Sequence, residues 1–206
     1  MYFSLNLKTH KMKKTLFALS IVLVGLSYSC KEVKKETKEA TEEVEATMND
    51  MPETMEEKTI SIALAPKSDS NVKGEVTFTE KDGEVMMVAT LSGLTEGEHA
   101  IHIHETADCT SADGKSAGGH WNPTFKPHGE WGAETGYHRG DIGNFMADAD
   151  GNAKVEFSTD EWCIGCEDDT MNIIGKGVIV HQGVDDFTSQ PSGDAGARVS
   201  CAGIIE

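Results

Sequence analysis

A chain of 206 residues and 22.2 kDa has room for one ordinary domain plus appendages, not for two large ones. Its 18 Lys and Arg against 35 Asp and Glu leave a formal net charge of −17. That balance argues against nucleic acid or an anionic membrane surface as the main partner, and excludes a repressor or histone-like role. With 21 Gly, 9 Met and 38% hydrophobic residues, the composition suits a loop-rich domain with a modest core better than a helical bundle.

Lys13 and Lys14 precede an apolar run at residues 16–26, and Ser27, Tyr28 and Ser29 lead into Cys30. A basic segment, a short apolar run and small residues make an export signal over residues 1–30; the run is too short to span a bilayer comfortably. Met12 opens the same pattern and offers a second start. Cys30 resembles the lipid-modified cysteine of bacterial lipoproteins, although Ser27 stands where their signals usually carry an aliphatic residue. The resemblance implies attachment to a membrane through lipidated Cys30, on the periplasmic side of the envelope; cleavage near Ser29 with release and an uncleaved anchor are the other readings. Residues 31–58 are nearly all Lys, Glu, Thr, Ala and Met without an aromatic, and cannot bury enough surface to fold alone. They read as a charged, disordered tether.

The remaining residues, 59–206, carry 25 acids against 9 bases, so the domain itself is near −16. Period-two patterns predict strands at 59–64, 72–79, 84–91 and 98–104, punctuated by Ser, Asp, Asn and Gly, with Asp82-Gly83 as a tight turn. Further strands are predicted at 143–147, 153–158, 173–181 and 198–205, with a second tight turn at Asp150-Gly151. Eight strands and no convincing amphipathic helix imply an all-β domain, a sandwich or flattened Greek-key barrel. Two long segments, 105–141 and 185–197, are too long to be mere connections.

Seven of the eight histidines fall in this domain. In a strand His102 and His104 point to the same face, so both imidazoles can reach one ion. His120, His128, His138 and Asp141 follow in a segment able to fold back over that face, and His181 ends a predicted strand. An all-imidazole set suits copper or zinc, whereas an Asp added to imidazoles suits tetrahedral zinc.

The stretches His99-Ala100-Ile101-His102-Ile103-His104-Glu105, Gly119-His120-Trp121-Asn122-Pro123, His138-Arg139-Gly140-Asp141-Ile142-Gly143-Asn144, Val180-His181 and Gly196-Ala197-Arg198-Val199-Ser200-Cys201 resemble the copper-zinc superoxide dismutases over essentially all of residues 59–206. The resemblance implies a Greek-key barrel with long metal-binding and electrostatic loops. It implies copper on His102, His104, His120 and His181, and zinc on His120, His128, His138 and Asp141, with His120 as the bridge. Asp185 matches the carboxylate linking a copper His to a zinc His, Arg198 the residue that guides superoxide, Cys109 and Cys201 the intrasubunit disulfide, and His99 a framework histidine. The implied reaction is dismutation of superoxide in defence of the cell envelope. By the same resemblance copper would cycle between its cupric and cuprous states, zinc would stay redox-silent, and His120 would leave copper and take a proton in one half of the cycle.

Against the family pattern, His128 and His138 stand ten apart, one residue more than the commonest spacing, and a loop is expected to absorb the difference. The segment 186–197 carries no Lys, so steering of the anion is expected to rest mostly on Arg198. Cys163-Ile164-Gly165-Cys166 lies outside the family core; a local disulfide is the favoured reading, with a redox dithiol or a metal half-site as alternatives. A non-catalytic copper-binding or metallochaperone module and a purely structural lipoprotein domain are the competing functions, against which the complete ligand sets and Arg198 stand. Assembly into a homodimer stays open.

Overall fold

The computed structural model describes residues 57–205. The leader with Cys30, and the tether up to residue 56, lie outside the described residues. Eight strands follow in order: β1 (Lys58–Pro66), β2 (Lys73–Lys81), β3 (Glu84–Ser92), β4 (Gly97–His104), β5 (Gly143–Ala147), β6 (Ala153–Thr159), β7 (Gly177–His181) and β8 (Arg198–Gly203). Lys58, assigned above to the tether, opens β1.

Every pairing is antiparallel, in the order β5-β4-β7-β8-β1-β2-β3-β6. The strand β1 joins the two halves of this sheet: residues Lys58 to Leu64 pair with β2, and Ala65 and Pro66 pair with β8. The predicted turn at Asp82-Gly83 is present with φ of 52° and 83°, the left-handed pair that a two-residue hairpin needs. Asp150-Gly151 also turns the chain, yet β5 and β6 on either side of it pair with β4 and β3 instead of with each other. Their edges form the seam of a nearly closed barrel.

Alternation explains the core. In β2 and β3 the buried positions Val76, Phe78, Val85, Met87, Ala89 and Leu91 face inward, with less buried residues between them. Burying each of these side chains other than Ala89 contributes roughly 1.5–3 kcal/mol. Strands β4 and β7 break the alternation, being buried on both faces. Ile101, Ile103, Val178 and Val180 fill the barrel. On the outer face a second cluster of Ala117, Ile179 and Cys201, with Cys109 against it, lies beneath the long segment after β4.

The strand predicted at 173–181 is shorter at its start. Gly175 turns at φ 81°, the Ile173 N–H donates to Cys163 O, and the Gly175 N–H donates to Ile204 O. Ile173 and Ile204 are fully buried, but as plugs beyond the ends of β7 and β8, which is why apolar runs there overstate strand length.

Candidate metal centre

The long segment after β4 folds back along that strand. Pairing with β5 ends at Ile101 opposite Gly143, and the loop then takes over the free edge: Ile103 N–H donates to Gly140 O at 2.9 Å and Trp121 N–H to Ile103 O at 2.9 Å. This pairing sets His120 beside His104 in an isolated β-bridge. Gly140 is required by the close approach, since a Cβ there would strike the Ile103 carbonyl. On the other edge of β4, His102 pairs with Ile179 of β7, two residues from His181. His181 in turn lies opposite Arg198 at a bulge in the β7–β8 ladder, a device that re-aims side chains.

Two four-donor sets result, His102–His104–His120–His181 and His120–His128–His138–Asp141, with the ligand atoms of each set within 4.8 Å of one another. His120 belongs to both, and all seven residues are buried. The one-residue excess between His128 and His138 is absorbed, since both reach the second set.

Asp141 is the hub of that second set. Its carboxylate accepts from His120 Nδ1 at 2.8 Å, from the His138 backbone N–H at 2.8 Å and from the Gly129 N–H at 3.2 Å. The Nδ1 atoms of His128 and His138 stand 3.0 and 3.3 Å from it without hydrogen-bonding geometry. Asp185 accepts from His102 Nε2 and His128 Nε2, both at 2.8 Å, joining the two sets from outside. Gly193, at φ 70°, packs so tightly there that a Cβ would strike Asp185 Oδ1.

The buried polar atoms left over test the fit to metals. Among the described residues, the buried side-chain atoms without a hydrogen-bond partner are His102 Nδ1, His104 Nε2, His120 Nε2, His128 Nδ1, His138 Nδ1, both nitrogens of His181, and Arg139 Nε. Apart from Arg139 these belong to the two sets. One orphaned buried nitrogen costs about 1–3 kcal/mol; a cluster of them, all facing one another, is what metal coordination satisfies.

The protonation tendencies differ between the sets. Burial, reinforced by the neighbouring imidazoles and Arg198, lowers His104 well below its ordinary value, and burial with His102 and His120 does the same to His181. Burial also lowers His120 to about 4, overcoming the opposing pull of Asp141. For His128, burial is outweighed by the carboxylates on either side, Asp141 beside Nδ1 and the hydrogen-bonded Asp185 at Nε2, which raise it to about 9. Both carboxylates are held below the ordinary range: burial opposes this, but the histidines around each prevail.

A cleft opens onto His104, His120 and His181 and is lined by Arg198, Lys115 and Lys126. Arg198 Nη1 and Nη2 donate to the carbonyls of Gly114 and Gly118 at 2.8 and 2.7 Å, which fixes the guanidinium at the cleft wall. The two lysines are cations that sequence reading did not assign. Cys109 and Cys201 form a disulfide, three residues beyond Arg198 on β8, and Cys163 and Cys166 form a second. His99 stands apart from both sets. Its Nδ1 meets the His181 carbonyl at 3.0 Å and its Nε2 the Thr95 carbonyl at 2.9 Å.

Two supporting side chains also escaped the sequence. Gln190 accepts from the His128 backbone N–H and donates to the His128 carbonyl, both at 2.9 Å. Asn144 makes the same reciprocal pair with the backbone of Asp185, both at 2.8 Å. Asn144 lies in a recognisable motif, whereas nothing in the local sequence marks Gln190.

A nearly closed Greek-key barrel carrying two buried donor sets that share one imidazole defines a binuclear metalloprotein. The chain belongs to the copper/zinc superoxide dismutase family, whose model matches residues 72–204. It is 36% identical over 148 residues to a Cu-Zn superoxide dismutase of Caulobacter vibrioides, covering 70% of this chain and 84% of that one. It is 37% identical over 156 residues to an extracellular Cu-Zn superoxide dismutase of Drosophila melanogaster, covering 71% and 83%. Among solved structures it resembles a double mutant of a SOD-like protein from Bacillus subtilis, with a TM-score of 0.64 and 30% identity, covering 71% of this chain and 97% of that one. Copper and zinc are the family's cofactors, and the two donor sets fit them.

Proposed function

We propose that this protein dismutates superoxide: two superoxide anions and two protons give dioxygen and hydrogen peroxide. His102, His104, His120 and His181 hold copper; His120, His128, His138 and Asp141 hold zinc, with His120 bridging the two. Copper, when bound, supplies the one-electron couple and zinc a fixed, redox-inert charge. The observation that carries this reading is the shared His120 at the floor of a cleft that also holds Arg198.

The chain's own residues bind and orient the anion and manage protons. Arg198, braced on two carbonyls, presents a permanent cation beside the copper set; Lys115 and Lys126 extend that field on an otherwise acidic surface. His120 holds its Nδ1 toward Asp141. Its Nε2, without a protein partner, takes a proton in one half of the cycle and gives it up to form peroxide in the other.

We place the enzyme outside the cytoplasm, attached to a membrane on the periplasmic side through lipidated Cys30. Two disulfides suit an oxidising compartment, and a relative is named extracellular. Defence of the envelope is the role that follows. The test is superoxide decay catalysed by the copper- and zinc-loaded chain beside its His181→Ala variant. Loss of turnover in the variant is expected, and unchanged turnover overturns the copper assignment.

A further inference from the structure

We infer that the loop after β6, closed by the Cys163–Cys166 disulfide, is a brace for the zinc half of the centre, with Glu161 as its positioning residue. The inference rests on reading His138 and Asp141 as zinc ligands.

The loop is anchored first to the barrel. Ile164, between the two cysteines, is buried; its N–H donates to Glu80 Oε2 at 2.9 Å, near the end of β2, and its carbonyl accepts from Lys58 Nζ at 2.8 Å, at the start of β1. Cys163 uses both backbone groups, donating to Met171 O and accepting from the Ile173 N–H. Asn172 ties the tip, accepting from the Gly165 N–H at 3.1 Å and donating to the Cys166 carbonyl at 3.0 Å.

From that base two consecutive residues reach the zinc loop on either side of His138. Trp162, fully buried, donates its indole N–H to the Arg139 carbonyl at 2.9 Å. Glu161 accepts from the Tyr137 hydroxyl, at 2.9 and 3.0 Å to its two oxygens, and pairs with the Arg139 guanidinium. Trp131, between His128 and His138 in sequence, packs its ring 4.9 Å from Tyr137, 4.8 Å from Phe157 and 5.9 Å from Trp162. Residues 137 and 139 are therefore both held by one short segment, and His138 between them is left to face Asp141.

No regular strand underlies His128, His138 or Asp141, so a slide of residues 137–139 along the barrel would move His138 Nδ1 off the zinc position. The pair between Glu161 and Arg139 is partly exposed and would be weak by itself. The disulfide makes it effective by removing alternative conformations of the loop, so that little order is lost when the metal binds.

Chelator competition on the copper- and zinc-loaded full chain tests this, with the visible spectrum of cobalt in place of zinc as a geometric readout. Glu161→Ala and the double variant Cys163→Ser with Cys166→Ser are expected to weaken zinc binding about tenfold and to shift the cobalt bands, with copper affinity changed by less than about twofold. Glu161→Gln, which keeps an acceptor for Tyr137, should recover part of the loss. Zinc affinity within about twofold of the parent in both variants overturns the brace. So do zinc and copper losses that fall together in step with the unfolding temperature of the metal-free protein. His138→Ala separates the two readings: if it leaves zinc affinity intact, the zinc assignment itself fails.

Discussion

The half of the centre proposed for copper and the half proposed for zinc are built differently. Three of the four copper-set histidines sit on barrel strands: His102 and His104 two apart on β4, and His181 at the end of β7. Their positions follow from strand periodicity and sheet register. In the zinc set, the histidines and Asp141 all come from the segment between β4 and β5, and side chains from elsewhere hold them in place: Asp185, Gln190, and the Glu161–Trp162 pair. Rigid scaffold supplies most of the first set directly, whereas the second is carried by a folded loop that side chains from elsewhere hold in place.

Opening the Cys109–Cys201 bond should have the largest effect. It closes a span of 92 residues, and such a link typically contributes about 2–5 kcal/mol. A double Cys→Ser variant should therefore unfold at markedly lower temperature in a thermal melt; an unchanged melting temperature would mean that the strands and the loop hold each other without it. Asp185→Ala removes the carboxylate shared by His102 and His128. Zinc affinity, measured by chelator competition, should fall roughly 10–100-fold and copper affinity by less, because His102 keeps its strand. Equal losses would erase the distinction between the halves.

Arg198→Met should lower the second-order rate of superoxide decay about tenfold and flatten its dependence on ionic strength, with both metals retained. A rate insensitive to this change would shift the steering to Lys115 and Lys126. The gentlest probe is pH, with each metal added alone to metal-free protein. His128 keeps its proton up to about pH 9, and zinc must displace it, so zinc affinity should rise about tenfold per pH unit from neutrality to that point. Copper affinity should depend on pH much less steeply over that range, because His104, His120 and His181 are already neutral there. The same raised His128 stabilises the metal-free fold below its ordinary value of 6.5, and that contribution is lost as pH climbs through about 9.

Much of this was legible from residue order alone. Alternating apolar residues and the Asp82-Gly83 turn declare eight strands because burial of one sheet face imposes a period of two. The pair His102 and His104 declares a shared face for the same reason, and the motifs containing His120, His138, Asp141 and Arg198 declare the family. Strand ends were less legible: Ile173 and Ile204 look like strand residues but plug the barrel beyond its ladders.

Tertiary structure alone decided the rest. That β5 and β6 flank a seam, that His181 stands opposite Arg198 across a bulge, and that Lys115 and Lys126 share the cleft all depend on segments distant in the chain. Gln190 clamps His128 from 62 residues away, and Glu161 holds Tyr137 from 24 away. Local sequence encodes periodicity and turn chemistry, which act between near neighbours. The supports of the zinc loop are hydrogen bonds and ring contacts between its backbone and remote loops, and their partners are chosen only when the barrel closes and brings those loops to one wall.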